Sequence, residues 1–175
     1  VTRRVNLFDI WQAIYTAGVT LPTPFTGANY WHRNLDPQKL VETQFAFKPA
    51  DKSMAQFIKM HRLPEETVLE GMRPMEESDV KRVTNLLNNH MRASYEVHME
   101  FNESEVKHFL LPQKDVVYSY VVENESGNLT DLASFYVLPS SILGHEKHKT
   151  LRAAYGFYNV AFECKPERMK LLIRD

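Results

Sequence analysis

Tyr30-Trp31-His32-Arg33 place two aromatic rings, an imidazole and a guanidinium on one short segment. Pro22, Pro24 and Gly27 punctuate the approach, so residues 25 to 33 read as extended rather than helical. Alternate side chains of an extended chain share a side, which gives Tyr30 and His32 a common face. Two polar-tipped rings on one face suit a peptide, a ligand that needs apolar contact and hydrogen bonds together. From composition alone, a packed or surface histidine is an equal reading of His32. Ser140 follows Pro139 at a predicted strand end, without the G-x-S-x-G elbow of a nucleophilic serine. It reads as a turn serine or as a hydrogen-bonding residue in a pocket wall. Cys164 stands beside Lys165, but a nucleophilic thiol needs a lowered pKa and a placed base; a half-buried strand-end thiol is the plainer reading. His145 and His148 are three apart in a lysine-rich loop and read as a solvated turn. No metal site is expected.

The 175 residues suffice for a real hydrophobic core. With 21 basic and 22 acidic residues the net charge is −1, which argues against a nucleic-acid partner. No apolar run approaches the length of a membrane helix. The single cysteine excludes an internal disulfide and fits a reducing, cytoplasmic setting. Both ends read as cut: Thr2-Arg3-Arg4 resembles mid-protein sequence, and the stripe Met169, Leu172, Ile173 runs into Asp175 without a cap.

The elements that must position these groups follow from periodicity. Phe8, Trp11, Ile14 and Tyr15 predict an amphipathic helix ending near Gly18. Asp36-Pro37 predicts a short helix with Leu40 and Val41 inward. Residues 48 to 71 read as loop, a strand near Phe57 to Leu63, and loop. Met72 to Met75 predicts a short strand. Val80, Val83, Leu86, Leu87 and Met91 predict a helix of about four turns. Asn102-x-x-Glu105 reads as a capping box opening a helix with Val106, Phe109 and Leu110 inward, closed by Pro112. A switch to period two predicts strands over 116–122 and 129–138 around a turn at Gly127, then a strand over 151–163. Pro139 is expected to end the second strand, and Pro166 to start a last helix.

Strand, helix, helix, strand, strand, strand, helix is the order of an acetyltransferase-like α+β fold. The expectation is a three-layer arrangement with a mixed, mainly antiparallel sheet, truncated at the C-terminus. An enzyme of that fold cradles the coenzyme A pyrophosphate with a glycine-rich loop at a helix N-terminus. Here the corresponding stretch, Glu163-Cys164-Lys165-Pro166-Glu167-Arg168, has no glycine, and Pro166 removes a donor. This stretch is therefore not expected to hold an acyl donor.

Over essentially its whole length the chain resembles the eukaryotic protein N-myristoyltransferases. The matching stretches are Thr2-Arg3-Arg4-Val5-Asn6, Tyr15-Thr16-Ala17-Gly18-Val19, Tyr30-Trp31-His32-Arg33 with Leu35-x-Pro37-x-Lys39-Leu40, Arg62-Leu63-Pro64 and Met72-Arg73-Pro74-Met75. Thr130-Asp131, Ser134-Phe135-Tyr136, Leu138-Pro139-Ser140 and Ala153-Ala154-Tyr155-x-Phe157-Tyr158-Asn159 follow in the family's order. The resemblance implies transfer of myristate from myristoyl-CoA to the N-terminal glycine of substrate proteins. It implies that residues 1–24 are the tail of an N-terminal acyl-CoA-binding half and 25–175 most of a peptide-binding C-terminal half. It also assigns Tyr30, His32, Phe45, Ser140 and Tyr155 to the peptide groove, and Thr16 to the neighbourhood of the acceptor glycine. The family's base, a chain-terminal carboxylate, and its oxyanion hole are expected outside this chain. Asp175 is not expected to replace that carboxylate. The 175 residues alone are thus expected to bind no cofactor, to carry no catalytic residue and to be inactive. A truncated domain is also expected to self-associate. The alternative is a non-catalytic acetyltransferase-like module that binds a peptide or partner. A free-standing acetyltransferase is disfavoured by the missing glycine loop.

Overall fold

A computed structural model describes residues 2–11, 13, 14, 16–19 and 23–175. The chain forms two compact units, Val1–Arg33 and Asn34–Asp175.

In the first unit the predicted amphipathic helix does not form. Helix α1 spans only Thr2–Asn6, and Asp9 then takes a left-handed conformation, φ 59°. The Trp11 indole N–H donates to Asp9 Oδ1 at 2.8 Å. Phe8, Trp11 and Ile14 are exposed, and an apolar stripe that is not buried gives a helix little stability. Tyr15 lies outside the described residues. Residues 26–33 adopt neither helix nor strand.

The second unit opens with α2, Pro37–Glu42. Its Asp36 cap accepts the Lys39 N–H, and Pro37 and Leu40 are buried. The strand expected near Phe57 is instead helix α3, Met54–His61. Ser53 and Gln56 form a reciprocal capping box, a start signal that outweighs the apolar run read as a strand. Strand β1 covers Met72–Pro74, helix α4 Val80–Ser94 and helix α5 Glu103–Leu110. The Asn102–Glu105 box caps α5 as expected. Val106 and Leu110 are fully buried, whereas Phe109 faces outward.

Strands β2 (Val117–Glu123), β3 (Leu129–Ser141) and β4 (Thr150–Gly156) complete a four-stranded sheet of order β1-β2-β3-β4. Every pairing is antiparallel. Pro139 does not end β3. The last bond on the β2 side is Val137 N–H to the Val116 carbonyl, so two residues later the missing proline donor faces a side where β2 has stopped. Strand β4 is shorter than expected. At its end the Tyr158 N–H bonds the Ser134 hydroxyl at 2.9 Å, and the Ser134 N–H bonds Asn159 Oδ1 at 3.0 Å. Side-chain partners thus replace the ladder before Val160 rejoins Leu132.

Helix α6 spans Pro166–Arg174. On one sheet face, Val121 and Leu132 meet Val83 and Leu87 of α4 and Val106 and Leu110 of α5. On the other, Val122 and Ala133 meet Leu172 of α6. The result is the expected three-layer α+β order. Arg73 and Arg82 share Asp79 and Glu123 between them, tying β1, α4 and β2 together. Gly71 is left-handed at φ 78°, and a Cβ there would run into the Glu123 carbonyl oxygen.

Candidate functional site

In an antiparallel pair, residues directly opposite share a face. Tyr136 lies opposite Tyr155, and Ser140 opposite Leu151. Alternation along β3 then puts Tyr136 and Ser140 on one face with Tyr155. The Tyr136 and Tyr155 rings stack at 5.5 Å, and Phe157 meets Tyr136 edge-on at 5.5 Å. Tyr155 is half-buried and Ser140 exposed, so this face is an aromatic wall with a hydroxyl at its open end.

Phe45 follows α2, the helix that the β3–β4 loop holds. The N–H groups of Phe45 and Ala46 return to the Leu40 carbonyl, so Phe45 travels with α2. Glu42, at the end of α2, is gripped by the loop joining β3 to β4. His148 Nε2 lies 2.7 Å and Lys147 Nζ 3.2 Å from Glu42 Oε2, and Gln38 Nε2 lies 2.9 Å from Oε1. Gln38, then His148 and Lys147, hold the Glu42 carboxyl down at about 2. His145 and His148 are therefore no solvated turn: both are half-buried and fasten this loop to α2. An open cleft of about 220 Å³ lies between them, lined by Asp36, Gln38, Lys39, Glu42, Lys147 and His148.

Thr16, Tyr30 and His32 belong to the first unit and are exposed. Phe45, Ser140 and Tyr155 belong to the second: Ser140 lies opposite Leu151 at the loop end of the β3–β4 pair, Tyr155 lies opposite Tyr136 four residues along β3, and Phe45 directly follows α2. No group of three or more histidine, cysteine or acidic residues among those described is placed to hold a metal. Cys164 is exposed, its sulfur 3.5 Å from His90 Nδ1.

Three backbone donors of the stretch before α6 are in use. Phe162 N–H bonds Asp131 Oδ1, Cys164 N–H the Ala161 carbonyl and Lys165 N–H the Phe162 carbonyl. Asp131, fully buried on β3, also takes two bonds from the Arg168 guanidinium and one from the Thr130 hydroxyl. Burial pushes its carboxyl up, but Arg168, Thr130 and the Phe162 N–H outweigh that and leave it below the usual carboxylate range. An internal carboxylate thus takes the Phe162 N–H and the Arg168 guanidinium, two of the donor groups in this stretch. Asp175 is likewise structural: its side chain accepts the Val68 and Leu69 N–H groups at 2.7 and 2.8 Å. Asp131, Glu42 and Asp175 were not singled out from sequence as anchors, because their partners are remote in the chain.

Sheet topology and helix order define an acetyltransferase-like α+β protein. Residues 42–175 match the model of the C-terminal domain of myristoyl-CoA:protein N-myristoyltransferase, and residues 1–28 match that of its N-terminal domain. The chain is 51% identical over 162 residues to glycylpeptide N-tetradecanoyltransferase 1 of Arabidopsis thaliana, covering 92% of this chain and 37% of that protein. It is 47% identical over 163 residues to glycylpeptide N-tetradecanoyltransferase 2 of Bos taurus, covering 93% and 32%. A crystal structure of Saccharomyces cerevisiae N-myristoyltransferase with bound myristoyl-CoA and inhibitors superposes with a TM-score of 0.84 at 34% identity, covering 98% of this chain and 42% of that one. The chain belongs to the myristoyl-CoA:protein N-myristoyltransferase family. It spans 32–37% of the length of these two curated relatives.

Proposed function

We propose that this chain is the peptide-binding part of a protein N-myristoyltransferase, an N-acyltransferase that moves myristate from myristoyl-CoA to the N-terminal glycine of substrate proteins. The observation that carries the reading is the face shared by Tyr155 and Ser140, with Phe45 following the helix α2 that the β3–β4 loop holds through Glu42. Phe45 and Tyr155 supply apolar area to a bound peptide, and Ser140 supplies a hydrogen bond. Tyr30 and His32 add a second set of polar-tipped rings, and Thr16 lies near the acceptor glycine. Residues 1–24 belong with the acyl-CoA-binding half and residues 25–175 with the peptide-binding half. The protein works in the cytoplasm. No helix among the described residues is long and apolar enough to cross a membrane.

Myristoyl-CoA is the co-substrate of the whole enzyme and is not held by the stretch before α6, whose Phe162 N–H and Arg168 guanidinium serve Asp131. The same observation favours a second reading, a non-catalytic module that binds peptide alone. Two measurements test both. A fluorescently labelled peptide beginning with glycine is expected to bind the chain in an anisotropy titration. An acylation assay with myristoyl-CoA and that peptide is expected to give no product above background. Product would overturn the assignment of this chain to peptide binding alone. Absence of binding would overturn both readings.

A further inference from the structure

The loop between β3 and β4 sends three side chains to one residue. His145, Lys147 and His148 all reach Glu42, which lies 103, 105 and 106 positions away. His145 has both ring nitrogens engaged. Nε2 lies 3.2 Å from the Glu42 carbonyl, and Nδ1 accepts the His148 N–H at 3.0 Å. That pairing makes His145 the Nε2–H tautomer, because Nδ1 must present a lone pair. Lys149 Nζ closes on the His145 carbonyl at 2.9 Å. Both carboxylate oxygens of Glu42 are occupied, one by Gln38 and the other by the loop.

The two ends of this bridge are the informative part. On one side, Glu42 ends α2, and the chain after it bonds back to Leu40, so Phe45 cannot move independently of the helix. On the other, the Ile142 N–H bonds the Lys149 carbonyl at 2.9 Å and closes the loop directly after Ser141. Ser140 is the next residue up β3. Glu42 thus joins the helix that carries Phe45 to the strand that carries Ser140. Half-exposed ion pairs of this kind contribute little to stability, and holding long side chains in one geometry costs conformational entropy. What such a set of bonds can deliver is a fixed distance.

We propose that Glu42 is a positioning residue for the peptide groove: by clamping the β3–β4 loop to α2 it sets the gap between Phe45 and Ser140. This rests on the peptide-binding reading above. Glu42 itself touches no substrate in this account. Its effect is to hold the groove at its binding width before the peptide arrives, so that binding need not order the loop.

The test is an anisotropy titration of a labelled glycine-terminal peptide against the wild-type chain and the Glu42→Ala, Glu42→Gln and His148→Gln variants, with Tm measured for each. Glu42→Ala is expected to raise Kd about tenfold, and Glu42→Gln, which keeps the shape and an acceptor, about threefold. Tm is expected to stay within about 2 °C of wild type in every variant. Removing Glu42 and His148 together is expected to cost no more than removing Glu42 alone, because the two act through one bond. An unchanged Kd in Glu42→Ala, beside a wild-type chain that binds, overturns the positioning role and leaves the peptide-binding reading standing. Additive losses, or a loss of affinity that accompanies a fall in Tm of more than about 5 °C, also overturn it. A wild-type chain that does not bind the peptide overturns the positioning role together with the reading it rests on.

Discussion

Around Val121, Val122 and Leu132 the sheet is covered on both faces by helices, and apolar contact does the holding. Around Ser140 and Tyr155 the same sheet is held by stacked rings and by hydrogen bonds from a loop to α2. The first region is closed to any ligand. The second leaves its side chains half-buried or exposed, which a recognition surface requires. Burial fixes position by excluding everything else, so a surface that stays open has to be fixed by other means. At the end of the sheet carrying Ser140, hydrogen bonds from His145, Lys147 and His148 to Glu42 hold the loop to α2.

Substitutions that separate the two regions should differ in what they damage. Leu132→Ala, at a fully buried position, is expected to cost about 3 kcal/mol of stability in urea denaturation, through lost burial and the cavity left behind. A loss below about 1 kcal/mol would mean that the core collapses to fill the gap. Asp131→Asn is expected to cost about 2 kcal/mol at neutral pH by depriving Arg168 of its charge partner, less than for a deeply buried pair because Arg168 is partly exposed. The same variant sharpens the pH dependence. The folded-state pKa of Asp131 is depressed, so its contribution is complete above the unfolded value of about 4. It is lost as pH falls from there through the folded value. Wild type should therefore lose stability steeply below about pH 4, and Asp131→Asn should show a shallower slope in denaturation midpoints against pH. The smallest effect on stability belongs to the open end: Tyr155→Ala is expected to cost about 1 kcal/mol while weakening peptide binding. A larger loss of stability than in Leu132→Ala would erase the distinction between the regions.

Legibility in the sequence follows the same division. Helices α4 and α5, the hairpin at Gly127 and the start of α6 at Pro166 could all be read, because each is written in local periodicity and caps. Helix α3 was not, since the apolar run from Phe57 drew attention from the Ser53–Gln56 box. The stripe of Phe8, Trp11 and Ile14 failed for the opposite reason: the period was present, but its residues stay exposed. Pro139 misled because a proline's effect on a strand depends on whether the neighbouring strand still runs alongside. At the site, Ser140, Phe45 and Tyr155 came from the family resemblance rather than from spacing. The clamp at Glu42 was out of reach, because nothing local in 42 or in 145 to 148 tells that they meet.

Asp175 closes hydrogen bonds with residues 106 and 107 positions earlier in the chain. On a ribosome the segment around Val68 and Leu69 emerges long before its partner and must wait for it. Contacts of such sequence separation slow folding, since a long loop has to close before they form. In refolding, amide protection at Val68 and Leu69 is therefore expected among the last to develop, after the α4–α5 pair that folds from near neighbours.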